Sequence, residues 1–203
     1  MGNYDVALKH FIVALEEYTV ALNSKGIGMA NNNIGQIYYF QNNFKKAISY
    51  FEKYADFAHQ SGNAIALAGA QNNIGGAYAE MGNLPQSLYY YQYARHLYDS
   101  LGIRFGVAIL DDNIGSILYK IGDYNLAMAK HFSSYQFFKQ RGMKERLVYS
   151  GNNLGLDYLG VGRYKQAEAS MNEALSVAKE IGQADAQAVI YESLSLLYEK
   201  TKN

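Results

Sequence analysis

A short motif that recurs every forty residues constrains the fold of this chain more than any other feature. Its first copy is Asn33-Ile34-Gly35, and no insertion interrupts the spacing. The further copies are Asn73-Ile74-Gly75, Asn113-Ile114-Gly115, Asn153-Leu154-Gly155 and the degenerate Ser193-Leu194-Ser195. A period of this length indicates a repeat architecture, in which each unit buries its apolar face only by stacking on its neighbours.

Each unit has the pattern of two helices. Ile34 with Tyr38, and Ala47 with Phe51, are spaced as on one face of a helix. A glycine, which readily adopts the left-handed backbone that ends a helix, closes each unit. These glycines are Gly62, Gly102, Gly142 and Gly182. With a single proline in the chain, the prediction is an all-α protein. The predicted helices are at about 4–22, 28–41, 44–60, 64–81, 84–100, 104–121, 124–140, 144–161, 164–181 and 184–200.

Composition excludes several classes of function. Among 203 residues, 18 Lys and Arg balance 18 Asp and Glu, so the excess of positive charge typical of nucleic-acid or anionic-membrane binders is missing. Cysteine is absent, which excludes disulfides and thiolate chemistry. The sequence contains no recognisable signal peptide or membrane-spanning stretch, which favours a cytoplasmic location and leaves the compartment unknown.

Three motifs follow one another along the units. The first is Ile-Gly-x-x-Tyr, as in residues 34–38, the second is a turn such as Gly-Asp-Tyr, and the third is Ala-x-x-x-Phe, as in residues 47–51. In this order they resemble the tetratricopeptide repeat (TPR), although the period is forty residues instead of about thirty-four and the usual Trp is missing. The longer period is similar to that of kinesin light chains and bacterial peptide-sensing regulators. This resemblance covers essentially the whole chain and implies a right-handed superhelical solenoid of about ten helices, paired as antiparallel hairpins.

The repeat register predicts a single TPR-like domain over residues 1–203. It begins with a half-unit at 1–22, continues with hairpins at about 23–62, 63–102, 103–142 and 143–182, and ends with a terminal helix at 183–203. The helix that should cover the half-unit is missing. We therefore expect a fragment of a longer protein, or a partner that covers this end, and self-association through the uncovered first helix is an alternative.

No catalytic or metal-binding motif is recognisable. The four histidines fall in different units without a second His or a carboxylate at metal spacing, and His131 is interpreted as a replacement for the core aromatic residue. Asp111 and Asp112 are interpreted as a solvated pair, and Gly75-Gly76 as a consequence of close helix packing. The prediction is a non-catalytic protein that needs no metal and no cofactor.

A row of Asn residues is the strongest candidate for binding. In the resembled fold, the first helix of each hairpin lines a concave groove, and the residues just before Ile-Gly point into it. An Asn amide can donate to and accept from an extended peptide backbone at the same time. The resemblance implies this role for Asn33, Asn73, Asn113 and Asn153, and for Asn32, Asn72, Asp112 and Asn152 one residue earlier. In the alternative interpretation, these amides bond to the backbone of the neighbouring hairpin and only stabilise stacking.

Helical spacing adds Tyr39, Tyr119 and Tyr149 to the same candidate groove. The predicted function is a scaffold that binds a protein or an extended peptide, as the sensory or adaptor part of a bacterial signalling regulator. One alternative is an oligomerisation or spacer segment. Another is a peptide-sensing regulator of the phosphatase type, whose N-terminal domain the chain lacks.

Overall fold

The computed structural model describes residues 3–201, which form ten α-helices and contain no strand. The helices are α1 (Tyr4–Val20), α2 (Ser24–Phe40), α3 (Phe44–Gln60), α4 (Ala64–Glu80), α5 (Leu84–Ser100), α6 (Arg104–Ile121), α7 (Tyr124–Gln140), α8 (Lys144–Gly160), α9 (Tyr164–Glu180) and α10 (Ala184–Thr201). The prediction of an all-α chain of helical hairpins is confirmed.

The same short turn separates most pairs of consecutive helices. Its last residue is an Asn or Asp whose side chain caps the next helix, as where Oδ1 of Asn23 accepts a hydrogen bond from the backbone N–H of Gly26 at 2.9 Å. One residue earlier the backbone is left-handed, with a φ of 66° at Gly62. These two features end one helix and start another, so that helices begin about every twenty residues.

The predicted start of α2 at residue 28 is wrong, because the helix begins at Ser24. Gly26 and Gly28 lie inside this helix, although glycine disfavours helix interiors. Both are buried points of close helix approach. A Cβ at Gly26 would collide with the ring of Tyr18, and one at Gly28 would collide with the ring of Phe57.

The helices form two compact units, α1–α5 and α6–α10. Within each unit, consecutive helices pack side by side. In the first unit, Phe51 of α3 and Ile74 of α4 belong to one buried apolar cluster. In the second, Met171 of α9 and Ile190 of α10 belong to another. The core therefore lies between neighbouring helices, as stacked hairpins require.

The glycine of the recurring Asn-Ile-Gly motif makes a close contact within each hairpin. A Cβ at Gly35 would lie 2.7 Å from Cδ1 of Phe51, so only glycine leaves room for this ring. The same small-to-large contact recurs at Gly75 and Tyr91 in the first unit, and at Gly115 and His131 and at Gly155 and Met171 in the second. The glycine of the motif is therefore explained by packing.

Apolar side chains remain exposed on α1. This helix contains no buried residue, and Val6, Val13 and Val20 are all exposed. Across residues 3–201, no helix combines the length and the apolar character needed to cross a membrane.

Candidate functional site

The Asn residues predicted to bind a ligand lie on the first helix of each hairpin. Those of the first unit are Asn32 and Asn33 on α2, and Asn72 and Asn73 on α4. Those of the second unit are Asn113 on α6, and Asn152 and Asn153 on α8, with Asp112 on α6 in the same series. All are partly buried except Asn152, which is buried. These polar residues therefore lie on the same helices as the packing glycines, and most of them are partly accessible to solvent.

In each unit, a side-chain hydrogen bond between two of these polar residues links consecutive hairpins. The side-chain amide Nδ2 of Asn73 donates to Oδ1 of Asn32 at 3.1 Å. Forty-one positions separate the two residues, and the same separation relates Asn153 to Asp112, whose carboxylate is hydrogen-bonded to Asn153. The stacking interpretation expects a bond to the backbone of the neighbouring hairpin, whereas this bond reaches the neighbouring hairpin through a side chain. Because an amide has further donor and acceptor capacity, ligand binding by the same residues stays a prediction.

A cavity of about 380 Å³ brings several candidate residues of the first unit together. Asn72, Asn73 and Tyr39 line it, and Tyr39 contacts the neighbouring Phe40 ring edge to face, with 6.0 Å between the ring centroids. The other lining residues are Gln36, Phe40, Phe51, Gly76 and Tyr91. Asn32 and Asn33 do not line this cavity. The structure therefore groups two amides of the predicted row with an aromatic wall.

The second unit has a smaller cavity of about 230 Å³ at the equivalent position, eighty residues further along the chain. Tyr119 and Asn153 line it together with Ser116, Lys120, His131 and Leu156. Asn113 and Asn152 do not line it. Tyr149 does not line it either, and its side chain is 51% exposed.

His131 occupies the core position that Phe51 holds in the first unit, as the repeat predicted, and it is 1% exposed. The sequence did not reveal its polar partners. Nδ1 of His131 lies 2.6 Å from Oδ2 of Asp157, and Nε2 lies 3.1 Å from the backbone carbonyl oxygen of Asp112. The N–H at Nε2 donates to this carbonyl, and one proton joins Nδ1 to the Asp157 carboxyl. The pair is therefore neutral overall, which is how an imidazole and a carboxyl can both be buried.

Asp157 is missing from the predicted site, although a signal for it exists in the sequence. Its equivalents in the other units are the apolar residues Ile37, Ala77, Ile117 and Leu197. His131 and Asp157 are thus two polar exceptions at apolar core positions. Because Asp157 is completely buried, desolvation raises the pKa of its carboxyl, and the hydrogen bond from His131 opposes this shift.

The interpretation of Asp111 and Asp112 as a solvated pair is wrong. Asp111 is 2% exposed and forms an ion pair with Lys130, whose Nζ lies 2.9 Å from Oδ1. Oδ1 of Asp112 is enclosed by protein and has no hydrogen-bond partner among the described residues. Packing of α7 and α8 on α6 removes the Asp111 carboxylate and Oδ1 of Asp112 from water. Despite this cluster, no three His, Asp or Glu side chains within residues 3–201 are grouped to hold a metal ion.

Replacing Asp112 with Asn is expected to stabilise the protein at neutral pH. Burial raises the pKa of the Asp112 carboxyl, so the folded protein loses stability as the pH rises from the ordinary pKa of an Asp through the raised one. Asp112→Asn removes this cost and should gain about 1–3 kcal/mol above that range. The gain should vanish below about pH 3, where the carboxyl is protonated in both states.

Urea unfolding, followed by circular dichroism at neutral pH and below about pH 3, measures the difference in stability between Asp112→Asn and the wild type. Asn32→Asp is the matched control, because it introduces a carboxylate at the equivalent position of the first unit. A higher stability of the wild type at neutral pH would show that its neighbours stabilise the Asp112 carboxylate more than burial destabilises it.

Comparison with known proteins identifies the repeat. Residues 1–59 and residues 148–181 match family profiles described as tetratricopeptide repeat. These two segments therefore match the tetratricopeptide repeat, and the ten-helix fold agrees with an array of such repeats. No match was found among curated protein sequences.

Solved structures with the same fold come from several kinds of protein. BtubC (BKLC) from P. vanneervenii is 15% identical with a TM-score of 0.83, over 98% of this chain and 84% of that chain. A STAND protein (signal transduction ATPase with numerous domains) from Pyrococcus horikoshii, which has a tetratricopeptide repeat sensor, is 17% identical with a TM-score of 0.85, over 99% of this chain and 31% of that chain. A Rap protein complexed with competence and sporulation factor is 15% identical with a TM-score of 0.76, over 97% of this chain and 60% of that chain. Identities this low establish a common fold and not a common function.

Proposed function

We propose that the chain is a non-catalytic binding module for an extended peptide segment, which in the first unit lies along the first helices of the hairpins, α2 and α4, and is held by Asn amides. The observation that carries this proposal is the first-unit cavity, where Asn72 and Asn73 adjoin the aromatic wall that includes Tyr39. An amide next to apolar rings can bond to a peptide backbone while the rings contact a side chain.

The comparisons support a role in signalling. One similar fold belongs to a Rap protein complexed with competence and sporulation factor, and another belongs to the repeat sensor of a STAND protein. Tetratricopeptide repeats in general are non-catalytic scaffolds. We therefore assign the chain to the sensory or adaptor part of a bacterial signalling regulator.

Selection from a phage-displayed library of random peptides tests this proposal, because it does not require the natural partner to be identified first. Peptides that bind the wild type are synthesised, and their affinity is measured by fluorescence anisotropy. Asn72→Ala combined with Asn73→Ala should weaken binding about tenfold or more, because the two amides that line the first-unit cavity hydrogen-bond to the ligand backbone. Gln92→Ala, which removes an exposed amide from α5, should leave the affinity unchanged.

Circular dichroism separates binding from stacking. If the double variant stays helical and binds as tightly as the wild type, the Asn residues serve only hairpin contacts such as that between Asn73 and Asn32. Light scattering on the same samples tests the alternative of self-association, which the exposed apolar side chains of α1 favour. A dimer without peptide affinity would replace the binding proposal with that alternative.

A further inference from the structure

The two equivalent cavities differ in size and in lining. The first-unit cavity measures about 380 Å³ and the second-unit cavity about 230 Å³. Ligand-binding pockets usually measure about 300–1,000 Å³, and of these two cavities only the first falls within that range. At one lining position the first unit has Gly76, where the second has Leu156, whose side chain occupies part of the equivalent space.

Packing explains Gly75 but not its neighbour Gly76. A Cβ at Gly75 would lie 2.7 Å from Cδ1 of Tyr91, whereas a Cβ at Gly76 would meet no atom closer than the Tyr91 hydroxyl oxygen at 3.5 Å. The interpretation of the pair as a close-packing feature is therefore wrong for Gly76. A glycine in the middle of α4 also weakens the helix. Because Gly76 has no side chain, the cavity is open on this side. A larger residue at this position would fill part of the cavity.

The lining of this cavity favours an uncharged, ring-shaped occupant. Four aromatic rings surround it, those of Tyr39, Phe40, Phe51 and Tyr91. The polar groups of the lining residues are the amides of Gln36, Asn72 and Asn73 and the hydroxyl groups of Tyr39 and Tyr91, and no lining residue carries a charge. A charged group would lose its hydration there without gaining an ion pair. An aromatic ring can pack edge to face against the rings and bury a large apolar area.

We propose that this cavity is the anchor site for one aromatic side chain of the bound peptide. The inference rests on the proposed function and specifies which peptides it selects. The ring enters beside Gly76, and the adjacent amides of Asn72 and Asn73 bond to the peptide backbone on either side of the aromatic residue. The second-unit cavity, reduced by Leu156 and bordered by Lys120, does not accept the same group.

N-acetylphenylalaninamide is the probe, because it carries the aromatic side chain and two peptide groups without a free charge. Titration into the isotope-labelled chain, followed by amide chemical shifts, should give saturable shifts at residues of α2 and α4 that line the cavity. Gly76→Leu should weaken this binding by about tenfold or more. Gly69→Ala lies on the same helix outside the cavity, has open space around its Cβ, and should bind the probe like the wild type.

The outcomes separate this inference from the proposed function. Saturable binding that Gly76→Leu abolishes, with both variants fully helical, supports the anchor site even if the peptide library yields no binder. Equal binding to wild type and Gly76→Leu overturns the anchor site, and so does tighter binding of N-acetyllysinamide than of the phenylalanine probe. Library peptides could also bind without sharing an aromatic residue and bind the Gly76→Leu variant as tightly as the wild type. This result would overturn the anchor site, while the proposed function would stand.

Discussion

Replacing His131 with Phe is expected to destabilise the second unit by about 3–5 kcal/mol at neutral pH. The new ring matches Phe51 in shape and position, so the loss comes from Asp157, which stays completely buried without its imidazole partner. Burial already raises the pKa of this carboxyl. The stability of the variant should therefore fall as the pH rises through that raised pKa, and the loss should be smallest below about pH 4, where the carboxyl is protonated.

A double-mutant cycle isolates the interaction. His131→Phe combined with Asp157→Ala recreates the apolar pair Phe51 and Ala77 of the first unit, and it should recover most of the stability that either single change loses. Urea unfolding followed by circular dichroism measures all four proteins. If the double variant loses the sum of the two single effects, the 2.6 Å contact between His131 and Asp157 contributes no coupling energy.

The fold was largely predictable because each signal for it is local. Capping Asn residues and left-handed glycines recur along the chain, and each acts on a helix end within a few residues of itself. The start of α2 was the exception. Gly26 and Gly28 have the local signature of a break, whereas their actual role depends on Tyr18 and Phe57, which approach from the neighbouring helices.

The site was predictable only in part, because it depends on distances between helices. The sequence placed Asn73 on the correct helix, but its bond to Asn32 depends on how α2 and α4 lie side by side. The sequence predicts a solvated Asp111 because nothing near this residue in the chain indicates burial, and its partner Lys130 lies on the next helix. The comparison of equivalent positions that identified His131 as a core residue would have revealed Asp157 too, since both are polar where other units are apolar.

Gly75→Ala and Gly76→Ala are expected to have opposite effects, although the two residues are adjacent on α4. Both changes gain the same helix propensity, about 1 kcal/mol, so the difference between the variants reports packing alone. The Cβ at position 75 would lie 2.7 Å from the Tyr91 ring and force a buried side chain to move, which costs about 1–3 kcal/mol. The Cβ at position 76 meets only ordinary contacts and should leave the full gain.

Urea unfolding of the two variants and the wild type checks this order of stability, with Gly69→Ala as a second site of open space on the same helix. A loss of stability in Gly76→Ala would show that packing does require this glycine, which would remove the physical reason for treating the cavity beside it as a binding site. The expected gain would show instead that the wild type keeps a destabilising glycine in mid-helix. An open cavity for a ligand then accounts for Gly76, whereas packing accounts for Gly75.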